Sequence, residues 1–317
     1  MKKGLLATSA VALALTMTPA SAAEWSMDVG GFYTVGIGFA NDNIRANQSV
    51  LLVNDGEIHF DPSITLDNGL RFGAHVELEA QDGTIDESDA FVSGSFGTVR
   101  IGANDGAQGL VGGIPCPTFT CTDDGFLDRT GASSIDVNGG NSSDDIKISY
   151  FTPNFSGFSA GVSYIPDDTG AATNRITQDN DDNSFEAGAN YSNSFGDFSL
   201  GLGAGFYSDG AASENHFGVR GTVGFGGFSV GGAYGSDDDG DDTQWGIGAT
   251  YADGPWNFGV HFADRLEVNG VDSDEWNAGL GASYALATGV TAGATLEFGD
   301  DGTNDLFAGG AFLNLSF

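Results

Sequence analysis

Basic side chains are scarce in this sequence, which has 10 Lys and Arg residues against 44 Asp and Glu and a formal net charge of −34. A field of that sign repels nucleic acid and other polyanions and attracts cations, so nucleic acid is excluded as a partner. Disordered acidic chains are poor in aromatic residues. Because 24 Phe, 8 Tyr and 4 Trp are present, we expect a folded protein.

Long apolar runs and helical periodicity are also lacking. After residue 22 no stretch of about 20 apolar residues occurs, which excludes a transmembrane helix. A transmembrane strand needs only about 10 alternating residues and is not excluded. Apolar residues do not recur with a 3.6-residue period, and the 51 Gly residues disfavour helices because glycine is a poor helix former. The sequence therefore predicts an all-β chain without a linker between domains.

The first 22 residues have the features of a secretory signal peptide. Lys2 and Lys3 precede an apolar stretch at 5–17, and an A-x-A cleavage site follows at 20–22. The alternative is a retained N-terminal helix. Cleavage leaves residues 23–317 as the mature chain, with eight bases and a net charge of −36, and we expect this chain to leave the cytoplasm.

Apolar and polar residues alternate along most of the mature chain, which predicts strands with one wet face. Ile58 and Phe60 alternate with His59 and Asp61, and an Asn-Gly pair at 68–69 predicts a hairpin turn. Sixteen strands are predicted, at 24–40, 51–67, 70–82, 88–96, 98–104, 145–152, 157–165, 183–194, 197–207, 214–225, 228–236, 243–252, 256–263, 274–286, 290–298 and 305–317. Short turns alternate with longer, acid-rich loops, as in outer-membrane barrels.

The charge on the two strand faces separates a membrane barrel from a soluble β-sandwich. Charged residues stand in mid-strand on the polar face, namely Arg71, Glu77, Arg100, Lys147 and Arg220. The opposite face is nearly free of charge, as a lipid-facing band must be, and all four Trp residues open strands, as in interfacial girdles. We predict a sixteen-stranded antiparallel transmembrane β-barrel, with the sandwich as the alternative.

One long loop, at about 104–144, follows a tight hairpin and contains both cysteines and several acids. The tract TLDNGLRFGAHVELEA (65–80), the hairpin AFVSGSFGTVRIGANDG (90–106), this long third external loop and the terminal LNLSF resemble the general porins of Gram-negative bacteria. The likeness is greatest to the shorter sixteen-stranded porins of alphaproteobacterial type. The short Pro-Glu-Phe-type loop motif of enteric porins is missing from this sequence.

The resemblance implies a homotrimer in the outer membrane, next to lipid and lipopolysaccharide. It also implies a third loop folded into the barrel, where it narrows a water-filled channel for ions and small hydrophilic solutes. Those solutes would cross by passive diffusion, and no cofactor would be required.

Charged residues of the strands and of the long loop are the candidate channel site. By strand parity the basic ones point into the lumen or lie at its mouth, and they are Arg45, Arg71, Arg100, Lys147 and Arg220. The facing loop acids are Asp105, Asp123, Asp124 and Asp128. Opposed rows of charge across a narrow gap would filter solutes, and the acidic excess favours cations. The alternative is that the bases only form weak salt bridges at the rim.

Two further sets of residues suggest a disulfide and a metal site. Cys116 and Cys121 would lie in an oxidising compartment, where a disulfide is the default. Clustered oxygen ligands suited to Ca²⁺ occur at 179–182 and at Asp237, Asp238, Asp239, Asp241 and Asp242, with a solvated acidic rim as the blander interpretation. The four histidines, His59, His75, His216 and His261, lack metal-ligand spacing and are interpreted as wetted pore-lining residues.

Other functions have less support in the sequence. A substrate-specific channel, for example for sugars, would need an aromatic track along the lumen, and Phe32 is almost the only aromatic residue that parity places there. An outer-membrane enzyme would need a catalytic cluster. The two G-x-S-x-G matches, at 157–161 and 227–231, lie inside alternating strands without a following helix, so they are not nucleophile elbows. We expect no enzyme, and an adhesin remains the alternative from another class.

Overall fold

The computed structural model describes residues 24–41, 50–117, 121, 126–129, 135–166, 183–210 and 212–317. The predicted signal peptide at 1–22 therefore lies outside the described residues. So do Arg45, Asp123, Asp124 and the acidic stretch at 179–182, while Asp128 is described by its backbone only.

Within those residues, seventeen strands form one antiparallel sheet. They are β1 (Ser26–Ala40), β2 (Leu51–Thr65), β3 (Arg71–Glu79), β4 (Ile85–Gly94), β5 (Gly97–Ala103), β6 (Ile146–Phe151), β7 (Phe158–Ile165), β8 (Ser184–Phe195), β9 (Phe198–Asp209), β10 (Glu214–Phe225), β11 (Phe228–Asp237), β12 (Thr243–Asp253), β13 (Trp256–Val268), β14 (Val271–Asp272), β15 (Glu275–Ala287), β16 (Val290–Asp301) and β17 (Asp305–Ser316). Each strand pairs with the next along the chain, except that β14 pairs only with β13, and β13 also pairs with β15. Because β14 only lengthens one hairpin, the wall has sixteen strands, as predicted.

The sheet closes on itself because β1 pairs with both β2 and β17. At the seam, Val35 lies opposite Leu313. The amide of Phe317 donates to the carbonyl of Gly31 at 3.1 Å, and the amide of Gly31 donates back to Phe317 at 3.0 Å. The chain's last residue thus completes the ladder, which leaves no unpaired edge between the first and last strands.

The two faces of the barrel wall differ in polarity. On β1 the outward side chains of Ile37 and Val35 are 58% and 40% exposed, whereas Thr34, on the inner face, is 3% exposed. The same alternation recurs around the wall, with exposed Val, Leu, Ile and Phe outside. An apolar outer band and a polar interior are what a transmembrane barrel requires. Among the described helices, none is long and apolar enough to cross a membrane.

One hairpin extends further than the sequence pattern predicted. The thirteenth strand was expected to end at residue 263, but β13 continues to Val268 and pairs with β14. Asn269 and Gly270, between them, both have positive φ, at 50° and 71°, as an Asn-Gly hairpin turn requires. The segment between the thirteenth and fourteenth predicted strands, 264–273, is therefore mostly strand, because a second Asn-Gly pair turns the chain there.

The described parts of the long loop lie against the inner face of the wall. The loop begins with a 3₁₀ helix at Ala107–Val111 and contains the short helix α1 (Phe126–Arg129). A Cβ atom added to Gly188 or Gly203, on the inner faces of β8 and β9, would overlap the backbone carbonyls of Ala107 and Val111. Glycine at these two places therefore lets the loop backbone approach the wall.

Candidate channel interior

The two arginines of the early strands lie where parity predicted. Arg71 and Arg100 line one cavity of about 480 Å³ on the inner face, together with His75, Glu77 and Asp105. The Arg71 guanidinium lies 5.1 Å from the centre of the Phe91 ring and donates to Ser63 Oγ at 3.2 Å. Phe91 is a lumen aromatic that the sequence analysis missed. The structure thus brings Arg71, Arg100 and Asp105 around one water-accessible space.

Arg100 forms an ion pair with a buried aspartate, Asp89. Its Nε donates to Asp89 Oδ2 at 3.1 Å, its Nη2 contacts the same oxygen, and Glu87 lies 3.9 Å away. The Asp89 side chain is fully buried. A buried carboxylate needs such a partner because its charge has lost its water. Much of the Arg100 charge is therefore balanced within the wall itself.

Lys147 and Arg220 hold the loop by its backbone. The Lys147 ammonium donates to the carbonyls of Asn104 and Ser143, at the two ends of the loop. Arg220 Nη1 donates to the carbonyl of Gly113 at 2.8 Å. Lys147 is only 1% exposed because the loop covers it, which differs from the expectation that it faces channel water. Its role in this geometry is attachment of the loop.

Two buried glutamates that the sequence analysis did not single out also hold the loop. Glu186, on β8, accepts hydrogen bonds from the amide of Gln108 at 3.1 Å and from the amide and hydroxyl of Ser142 at 2.7 and 2.6 Å. Glu297, on β16, accepts from the amides of Phe126 and Leu127 at 2.9 and 2.7 Å. The signal was present in the sequence, because each is a glutamate within an alternating strand, on its polar face.

Asp105 lies where the loop leaves β5. Its amide donates to Glu87 Oε1 at 3.2 Å. Partial removal from water raises the pKa of the Asp105 carboxyl, while the charge of Lys147 opposes this shift and that of Glu186 adds to it. The pKa of Asp144, at the other end of the loop, is raised by the same loss of water and by nearby Asp86. Both acids stay protonated to a higher pH than an ordinary aspartate.

The two cysteines are joined in the structure. Cys116 and Cys121 form a disulfide with a Cα–Cα distance of 5.3 Å. They pack against a small apolar cluster that includes Ile114, Ile135 and Val137. The disulfide thus lies within the loop's own core, against the inner wall.

The acidic loop proposed for calcium does not gather its carboxylates. Asp238 accepts a hydrogen bond from Asn215 Nδ2 at 2.7 Å, which lowers the pKa of Asp238. Among the described residues, the groups of three His, Cys, Asp or Glu side chains with ligand atoms within 4.8 Å of one another lie on β2–β4 and at 105 and 144, not at 237–242. Calcium binding at 237–242 stays a prediction.

A closed barrel with an apolar outer band and a polar, loop-lined interior defines an outer-membrane channel. The family model described as Gram-negative porin matches residues 7–304. The chain belongs to that family, and its place is the outer membrane of a Gram-negative cell.

Solved structures show the same fold. A double mutant of the porin from Rh. blastica superposes with a TM-score of 0.69 at 18% identity, covering 92% of this chain and 100% of that one. A loop-deletion mutant of OmpT, an outer membrane protein of Vibrio cholerae, gives a TM-score of 0.68 at 17% identity, covering 92% and 99%. A search of curated protein sequences gave no match. The family and fold are those of channel proteins.

Proposed function

We propose that the protein is a water-filled diffusion channel that prefers cations. In the channel interior, two basic side chains are occupied by protein partners, whereas several acidic side chains line the cavity. This difference is the observation that carries the proposal. Arg100 is paired with buried Asp89, and Lys147 is bound to loop carbonyls. Acids such as Asp61, Glu77 and Glu87 line the same cavity as Asp105. A wall with surplus negative charge concentrates cations and repels anions.

Non-selective passage of small hydrophilic solutes is part of the proposal. The described lumen offers no continuous row of aromatic rings for a sugar, since Phe91 lies under Arg71 and Tyr207 stacks against His216. Charge and width then remain as the filters. Uptake of neutral sugars into proteoliposomes should fall smoothly with solute size. Strong preference for one sugar among several of equal size would contradict passive diffusion.

We extend the proposal to a homotrimer that contacts outer-membrane lipid and lipopolysaccharide and needs no cofactor. The exposed apolar band supports burial against lipid and against neighbouring copies. Light scattering in detergent should give three chains per particle. Conductance should persist in chelator, and loss of current in chelator would instead support the calcium prediction at 237–242.

Single-channel current across a planar bilayer with a KCl gradient tests the central claim. We expect steps in groups of three and a reversal potential on the cation side. A reversal potential on the anion side would refute cation preference while leaving a channel. If protein with a native β-sheet spectrum gave no current, the channel function itself would be refuted.

A further inference from the structure

The hairpin formed by β2 and β3 lines up two histidines and several acids on the inner face. The turn between the strands closes where the amide of Leu66 donates to the carbonyl of Leu70 at 2.8 Å. Counting outward from it, His59 lies directly opposite Glu77, and Glu57 lies opposite Glu79. Side chains on one face of a strand recur every second residue. Glu57 and His59 are therefore neighbours on one strand, and His75 and Glu77 on the other.

These side chains form two overlapping ligand groups that share Glu77. The ligand atoms of Glu57, His59 and Glu77 lie within 4.8 Å of one another, and so do those of His75, Glu77 and Glu87. His59 Nε2 lies 3.0 Å from Glu57 Oε2 and 3.6 Å from Glu77 Oε1. His75 Nε2 lies 2.7 Å from the same Glu77 oxygen. The two imidazole rings are 5.6 Å apart between centroids and nearly perpendicular. We call Glu57, His59, His75 and Glu77 the histidine–carboxylate cluster.

A fifth side chain orients the second histidine. His75 Nδ1 lies 2.6 Å from Asp61 Oδ1. An Nδ1–H donor held by a carboxylate turns Nε2 towards the cluster and makes it a better ligand, which is how metal-binding imidazoles are usually supported. Asp61 therefore acts as a positioning residue rather than as a ligand.

The cluster is open to the channel and lies in a negative field. The side chains of His59 and His75 are 28% and 19% exposed. The adjoining cavity of about 480 Å³ is lined by His75 and Glu77. The ligand oxygens of Glu79 and Asp86 lie within 4.8 Å of that of Glu57. An ion in the lumen can reach this place, and the surrounding acids favour a dication.

We propose that the histidine–carboxylate cluster binds a transition-metal dication of the Zn²⁺ type. Each group offers one imidazole nitrogen and two carboxylate oxygens, and imidazole is a ligand that suits Zn²⁺ and its neighbours in the first transition row. Because both groups need Glu77, the cluster holds one ion at a time. Ca²⁺ and Mg²⁺ prefer sites made only of oxygen. A ligand must offer a lone pair, so the coordinating imidazole nitrogen has to be unprotonated when the metal binds. In this proposal His59 and His75 are metal ligands, whereas the sequence pattern led us to interpret all four histidines as wetted pore-lining residues.

The other two histidines provide contrast. His216 stacks on Tyr207 with ring centroids 5.5 Å apart, and His261 is 6% exposed. Neither belongs to a metal-ligand group among the residues that the structure describes. His216→Gln is therefore a matched control, since His216 also lies on the inner face of the barrel.

Zn²⁺ titration by calorimetry of the purified full-length mature protein in detergent, prepared without a polyhistidine tag, tests the proposal. We expect one site per chain, binding at least about 100-fold weaker in the His59→Gln/His75→Gln variant, and unchanged binding in His216→Gln. A hundredfold excess of Mg²⁺ should not displace the metal. Equal affinity in wild type and double variant, loss in His216→Gln, or displacement by Mg²⁺ would each overturn the site.

A second measurement keeps the test decisive if the double variant does not fold. X-ray absorption at the zinc edge of the loaded wild-type protein should show imidazole scattering, and an oxygen-only shell would refute the cluster. Neither measurement needs current through the pore, so failure of the proposed channel function would leave this result standing. In bilayers, bound metal adds positive charge to the wall, so micromolar Zn²⁺ should reduce cation preference in wild type and not in the double variant.

Discussion

At the scale of single residues, two buried carboxylates attach the long loop to the barrel wall. Glu186 and Glu297 are 2% and 3% exposed, and each accepts hydrogen bonds from loop amides. Hydrogen bonds to a charged group stabilise by about 1.5–3 kcal/mol each, and leaving such donors unpaired costs a similar amount. Single side chains of the wall therefore govern the position of a loop of about forty residues.

Replacing Glu186 by Gln should loosen the loop without unfolding the barrel. Glutamine keeps one accepting oxygen and replaces the other by a donor, so the amide of either Gln108 or Ser142 loses its acceptor, and we expect about 2 kcal/mol less protection of that amide. Hydrogen exchange read by mass spectrometry measures this directly. Glu214→Gln, at a side chain that is 52% exposed, is the matched control. Unchanged protection in Glu186→Gln would show that the loop is held elsewhere.

Arg100→Ala should destabilise the barrel through the acid that it leaves behind. Asp89 would be a buried charge without its partner, at a cost of about 3 kcal/mol in the free energy of unfolding. Urea unfolding in lipid vesicles, followed by Trp fluorescence, gives the value. Asp89→Asn in the same background should restore much of the loss, while Arg71→Ala should cost under about 1 kcal/mol. No recovery in the double variant would refute the pairing argument.

At the scale of elements, Asp105 at the start of the long loop contributes to the pH response of the channel. Because the pKa of Asp105 is raised, its charge disappears at a higher pH than the usual value of about 3.9. Cation preference should therefore fall on acidification, beginning above pH 4, and Asp105→Asn should remove that part of the fall. Reversal potentials measured from pH 7 to pH 3.5 test this.

The raised pKa of Asp105 also predicts how the stability of the protein changes with pH. A carboxyl with a raised pKa binds protons more tightly in the folded state, so its burial costs stability above the folded pKa and the cost disappears below the ordinary one. Asp105→Asn should thus be the more stable protein at pH 7. Asp238→Asn is the control, because the pKa of Asp238 is lowered. A variant less stable than wild type at neutral pH would contradict the assignment.

Strands and hairpin registers could be predicted from the sequence, whereas loop contacts could not. Alternation reports which face of a strand is wet, and the Asn68-Gly69 turn fixes the register, so the pairing of His59 with Glu77 was within reach. The position of the loop against the wall depends on Gly188, Gly203 and Glu297, whose contacts join residues far apart in sequence. No local pattern encodes such contacts, and Lys147 was placed in the lumen for that reason.

Net charge and barrel closure act at the scale of the whole molecule. With 44 acids in the chain, cation preference should depend strongly on salt, because the screening length falls from about 10 Å at 0.1 M to about 3 Å at 1 M. We expect a reversal potential near the ideal cation value in dilute KCl and a smaller one in concentrated KCl. A reversal potential that does not change with salt would instead show that selectivity arises from close contacts between ions and side chains at the constriction.

The anchorage of α1 by Glu297 also dictates an order of events in time. The amide of Phe126 donates to a carboxylate 171 positions later in the chain, so α1 cannot reach its final position before β16, the fifteenth of the sixteen wall strands, is in place. The position of α1 is therefore fixed late in assembly, whereas the earlier part of the loop binds Glu186 on β8, which is complete long before.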